Sequence, residues 1–219
     1  MILMTAGLLR EEIKKLLCRL YSASELALEA ADHCMASFTG REDPKSSMDE
    51  VKHLSEELIK RHEEIRREAI ALIARFQPMA SDLRTMASIL EVSYGLVRLG
   101  RYSEDISEVI ESFGSIERCD LETALRTWEI TKEMVSLALR AMEDMDVEKA
   151  KKVIEMDDLV DRSYDEYVRK VVSGEERSPL CAVAITLILR YLERMADHAV
   201  MIAEEVVYIK TGEYSGHPA

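Results

Sequence analysis

From Ser178-Pro179 to Thr211-Gly212 the chain runs without an internal glycine or a second proline, and within that run Ile188, Leu192, Met195, Ala199, Ile202, Val206 and Ile209 alternate by four and three. Such spacing keeps one stripe of a helix turned towards its neighbours. A strand would scatter the same residues over both faces. The segment is therefore predicted to be a long helix that buries a heptad seam in a bundle.

Breakers divide the rest of the chain into five comparable segments. The first covers roughly 6–38 and stops at Thr39-Gly40. The second is placed from Ser47, because Ser47-Met48-Asp49-Glu50 has the form of a capping box, and runs to Gln77-Pro78. The third spans about 79–112 and halts at Phe113-Gly114; the fourth runs from near Ser115 to about Met145. Asp146 is expected to cap the fifth, which ends at Ser173-Gly174, and Ser178 with Pro179 at the first helical position opens the sixth. Rods of roughly 40–50 Å follow from the 1.5 Å rise per residue. Short connections make consecutive rods antiparallel neighbours.

Composition agrees. Aromatic residues make up 5% of the chain and there are only eight glycines and four prolines, so a β-rich fold is disfavoured. The formal net charge of −13 excludes nonspecific binding to nucleic acid, which depends on clustered Lys and Arg. Cys18, Cys34, Cys119 and Cys181 lie far apart with no CxxC pair, and are expected to be small buried thiols in a reducing compartment. No apolar run is long enough to span a membrane, so a cytoplasmic, unanchored protein is expected.

The halves resemble each other. SEELIKRHEEIRRE (55–68) aligns with MDDLVDRSYDEYVRK (156–170), LVRLGRYSEDISEVI (96–110) aligns with LERMADHAVMIAEEV (192–206), and Pro78 and Pro179 fall at corresponding hairpins. The expected architecture is all-α: six long helices as two tandem three-helix repeats, 1–114 and 115–219.

At 100° per residue, Glu193 and Asp197 point roughly 145–175° away from the seam of the last helix, with Thr186 and Glu204 on the same outer line. The core does not explain these carboxylates, and they are expected to be exposed. In the fifth helix Asp157, Asp161 and Asp165 recur every fourth residue. Like charges at that spacing cost about 0.2–0.5 kcal/mol per pair, which invites a compensating cation. Carboxylates on adjacent helices supply oxygen ligands suited to Mg²⁺, Mn²⁺ or iron. A solvated acidic face explains the same residues without metal.

The stretch LERMADHAVMIAEEVVYIKTGE (192–213) resembles the C-terminal signature of the PhoU family, and FQPMASDLRTMASILEVSYGLVRLG (76–100) resembles that family's QP-x-A-x-DLR segment. The resemblance covers about residues 8–213. It implies two repeated three-helix bundles and a non-enzymatic negative regulator of phosphate uptake and phosphate signalling. The implied partners are a phosphate ABC transporter ATPase and a sensor histidine kinase at the cytoplasmic face, and the implied assembly is a homodimer. It also implies E(D)xxxD motifs that bind iron or another metal (manganese, magnesium or zinc), which here fall on Asp157 with Asp161 and Glu193 with Asp197.

The first half departs from that pattern. Glu56 answers Asp157, but Lys60 stands for Asp161, Val97 for Glu193 and Arg101 for Asp197. Cations at two of these places repel a bound metal ion, so a metal site is expected in the second repeat only, with a Glu56–Lys60 ion pair and an Arg101–Glu56 contact replacing the first. Met201 stands where the family commonly has asparagine, and a ligand or hydrogen bond supplied there is lost.

His198 is expected to pack or to support a ligand rather than bind metal directly. Arg84, in the DLR segment, is expected to make an interhelical or partner contact. Trp128 is expected to be packing. A ferritin-like di-metal oxidase needs a Glu-x-x-His from each of two helices, and Glu50 with His53 is a single match at a helix start. A metal-free accessory scaffold of a phosphate permease is the other alternative.

Overall fold

The computed structural model describes the backbone of residues 2–114 and 116–213, and their side chains from Gly7 onward except Glu117. Six helices follow one another: α1 (Ile2–Phe38), α2 (Pro44–Phe76), α3 (Ala80–Phe113), α4 (Leu121–Asp144), α5 (Val147–Ser173) and α6 (Pro179–Thr211). The described residues contain no strand, and none of their helices is long and apolar enough to cross a membrane.

Helices α1, α2 and α3 pack on one another, as do α4, α5 and α6. The two groups meet mainly through α3 against α6, with a smaller contact between α1 and α4. Arg84 near the start of α3 reaches Ile209 near the end of α6, while Tyr102 further along α3 stacks on Tyr191 early in α6, so the two central helices run antiparallel. One apolar core passes through both repeats. All seven seam residues of α6 are at most 5% exposed. Burying each of the larger ones contributes about 1.5–3 kcal/mol relative to leaving it in water.

Where α3 and α6 cross, Gly95 permits a close approach. A Cβ built there would lie 2.7 Å from the Met201 methyl carbon and 3.7 Å from His198 Nδ1. Met201 thus fills space against a bare backbone. At one end of the pair Arg84 donates from Nε and Nη2 to the Ile209 carbonyl at 3.3 and 3.0 Å, and its guanidinium lies 5.9 Å from the Tyr208 ring. A cation on the final carbonyls of a helix satisfies orphan acceptors and complements the dipole. The interhelical expectation for Arg84 holds.

Helix starts separate the true caps from the apparent ones. Asp146 accepts from the Glu148 and Lys149 N–H groups, and Ser178 accepts from Cys181 N–H ahead of Pro179, both as expected. Helix α2 begins earlier than Ser47: Asp43 accepts from Ser46 N–H and Pro44 occupies the first turn. Ser47 is buried and donates instead to the His33 carbonyl at 2.8 Å, so its hydroxyl ties α2 to α1. Helix α4 begins at Leu121, later than expected, because Asp120 is its cap and a 3-10 turn (Ile116–Arg118) occupies the connector; Ser115 lies outside the described residues.

The expectation of four free thiols is wrong. Cys119 and Cys181 form a disulfide with their Cα atoms 5.2 Å apart, joining the connector to the first turn of α6. Cys34 is a buried thiol, its pKa pushed up to about 12 by burial, and Cys18 is exposed. Sixty-two residues separate the bridged pair, and only the fold brings them together.

Candidate functional site

Helices α5 and α6 carry the four sequence-selected carboxylates, and Asp161 on α5 lies within electrostatic reach of Glu193 and Asp197 on α6. Asp161 and Asp197 are exposed residues, whereas Asp157 and Glu193 are partly buried. The outward rotation of Glu193 from the seam turns it towards α5, which leaves its side chain 15% exposed instead of free in solvent. The Asp161 carboxyl has its pKa raised, first by burial and then by the charges of Glu193, Asp158 and Asp165, against the opposing pull of Arg190. Asp197 is raised by burial and then by Asp161, with Arg190 and Arg194 opposing. The acidic residues of the two helices therefore sense one another across the groove.

Arg190 supplies the local positive charge. Its guanidinium pairs with Glu193 one turn along α6 and lies 5.8 Å from the Tyr164 ring on α5. The Arg190 side chain thus lies among the acids, held from both helices. Among the described residues, no three His, Cys, Asp or Glu side chains converge closely enough to hold a metal ion.

Next to this face, His198 turns towards α3. Its ring is 5.8 Å from that of Tyr102, and Nδ1 is buried without a hydrogen-bond partner. Burial, followed by the charges of Arg98 and Arg194, pushes its pKa down to about 4. Neutral imidazole packed on an aromatic ring agrees with the packing role.

The corresponding face of the first repeat neutralises its charges within single helices. Lys60 pairs with Glu57 at 3.7 Å, as does Arg61 at 3.0 Å, so Glu57 rather than Glu56 takes these two cations. Arg101 reaches Glu104 at 3.0 Å and Asp105 at 3.4 Å on its own helix. The expected Glu56–Lys60 and Arg101–Glu56 contacts give way to these, because i,i+3 and i,i+4 partners were already within reach. Glu50 and His53 are exposed near the start of α2. Trp128 is 4% exposed, with Lys132 Nζ 5.9 Å from its ring centroid, as expected of a packing residue.

Two charged residues in this region are not among those expected from the sequence. Arg190 is legible as an i,i+3 partner of Glu193. Glu205 is buried at 4% exposure and accepts a hydrogen bond from Ser88 Oγ across the α3–α6 contact. Its position between Ile202 and Val206 on the seam was the available signal.

With this geometry in place, the PhoU domain model matches the chain twice, over residues 20–110 and 125–206. The chain belongs to the PhoU family. Among its relatives, a phosphate-specific transport system accessory protein PhoU homolog of Synechocystis is 29% identical over 167 residues, covering 74% of each chain. A PhoU homolog 1 of Thermotoga maritima, named in the same way, is 34% identical over 157 residues, covering 68% of this chain and 67% of its own. The PhoU crystal structure from Pseudomonas aeruginosa superposes with a TM-score of 0.85 at 26% identity, covering 93% of this chain and 99% of that one. The phosphate transport system regulatory protein PhoU from Streptococcus pneumoniae gives 0.87 at 21% identity, covering 95% and 100%, a likeness of fold.

Proposed function

We propose that this chain is a non-enzymatic regulator of phosphate uptake and phosphate-responsive signalling, working as a cytoplasmic homodimeric adaptor between a phosphate ABC transporter ATPase and a sensor histidine kinase. The observation that carries this reading is the double PhoU-domain match, with relatives named as accessory proteins of phosphate-specific transport. Long antiparallel helices suit such a role, since they offer rigid polar faces for docking while the core stays closed. The test is recovery of partners on the tagged full-length chain from cells grown in high and in low phosphate. The ATPase and kinase should copurify in proportions that change with phosphate. Recovery of neither under both conditions overturns the proposal.

The second-repeat face carries the metal part of the proposal. Asp157, Asp161, Glu193 and Asp197, brought together, would supply an all-oxygen donor set, suited to magnesium, manganese or iron and acceptable to zinc. The raised proton affinity of Asp161 and Asp197 supports a demand for positive charge there. A bound ion would supply that charge and cross-link α5 to α6. Seating it requires Glu193 to leave Arg190 and the carboxylates to close in. The metal-free scaffold is the second reading, and the Arg190–Glu193 pair is the observation in its favour.

A further inference from the structure

We propose that the Cys119–Cys181 disulfide is a redox-reactive site, opened by dithiol reductants, that governs how firmly the connector between the repeats is fastened to α6. Cys119 directly follows the 3-10 turn and precedes Asp120, the cap of α4. Ile116 in that turn is 3% exposed, and the turn packs on α6. Cys181 is the third residue of α6. The bond thus clamps the start of α4 to the start of α6 and closes a loop that contains α4 and α5 in full.

The surroundings hold the Cys181 side of the clamp. The buried Tyr167 hydroxyl donates to the Cys181 carbonyl at 3.1 Å, and burial pushes the Tyr167 pKa up to about 12, so it remains a donor. Lys170, also on α5, pairs with Asp120 at 3.3 Å. Two half-cystines of unequal access result: Cys119 is partly exposed and Cys181 is buried.

That inequality sets the direction of exchange. One thiolate of a dithiol attacks Cys119 Sγ, the S–S bond breaks, and a mixed disulfide forms on Cys119. The electron pair leaves on Cys181 Sγ, in the first helical turn, where the N–H groups and dipole favour an anion. Cys181 then takes a proton. The reductant's second thiol attacks its own sulfur in the mixed disulfide and expels Cys119 as a thiolate, which is also protonated. Two electrons and two protons pass to the cystine, and the dithiol becomes a disulfide. Cys18 and Cys34 lie on α1 and take no part.

The experiment uses the full chain purified without reductant, re-equilibrated with oxidised glutathione, and then treated with dithiothreitol. Two thiols per chain should react with a thiol reagent in denaturant before reduction, and four afterwards. Loss of a loop closure of this length should lower the thermal midpoint by on the order of 4–12 °C. Amide exchange over residues 116–124 should quicken. Cys119→Ser and Cys181→Ser should each share the lowered midpoint and lose the response to dithiothreitol, while Cys18→Ser keeps it. Four reactive thiols in the oxidised sample, or reduction that changes neither midpoint nor exchange, overturns the proposal.

Discussion

The faces formed by α2 and α3 and by α5 and α6 derive from equivalent segments, yet they manage charge in opposite ways. On the first, Lys60, Arg61 and Arg101 neutralise acids of their own helices, and each ion pair closes within one turn. On the second, acids of two different helices lie near one another beside Arg190 and Arg194, and Asp161 and Asp197 hold their protons more tightly, first through burial and then through the neighbouring negative charges. Intrahelical pairing is self-contained, whereas opposed carboxylates leave a demand that something outside the pair must meet. On the proposed reading, a repeat that keeps its acids would take a cation, and one that replaces them with Lys and Arg would need none.

The largest test asks whether the cores match where the faces differ. Leu96 and Leu192 are equivalent by alignment and are 1% and 0% exposed. Replacement of either by alanine should cost about 2–5 kcal/mol in denaturant unfolding. A loss confined to one repeat breaks the picture of a shared core.

A smaller effect separates Tyr102 from its counterpart His198. The folded chain holds His198 with a pKa lowered to about 4 against an ordinary 6.5, so between these values the unfolded state binds more protons. Stability from this site is complete above pH 6.5 and falls as the pH drops towards 4, by on the order of 1–3 kcal/mol. Thermal midpoints over that range should show less acid loss in His198→Gln, and an unchanged profile would refute the assignment.

The smallest effect concerns the carboxylates. Their raised pKa values mean that the folded chain holds protons more tightly, so their contribution to stability falls as pH rises from 3.8 through the raised values. Without added metal, Asp161→Asn or Asp197→Asn should gain about 0.2–0.5 kcal/mol near neutrality by removing repulsion. Mn²⁺ should raise the midpoint of the wild type, but not that of the double variant. An equal response in both moves the cation elsewhere and favours the metal-free scaffold.

The periodic and local parts of this molecule were legible in its sequence. The seam of α6, the caps at Asp146 and Ser178, and the relation between the repeats all rest on spacings within a few turns. Ser47 misled because its local pattern imitates a capping box, while Asp43, four residues earlier and followed by Pro44, carried the true signal. The disulfide was hidden for another reason: nothing within either cysteine's own segment indicates where its partner lies. The acidic face was half legible, since helical angles identified which carboxylates leave the core, but not that Glu193 would turn to Arg190.

The contact between Arg84 and Ile209 spans 125 residues of chain. During synthesis α3 is therefore complete long before the helix end it caps has been made. Ser88 and Gly95 wait alongside it for Glu205 and Met201, on the last helix. Until α6 emerges, the first repeat presents its central helix uncovered, so the nascent chain depends most on protection just before the 33 residues of α6 arrive.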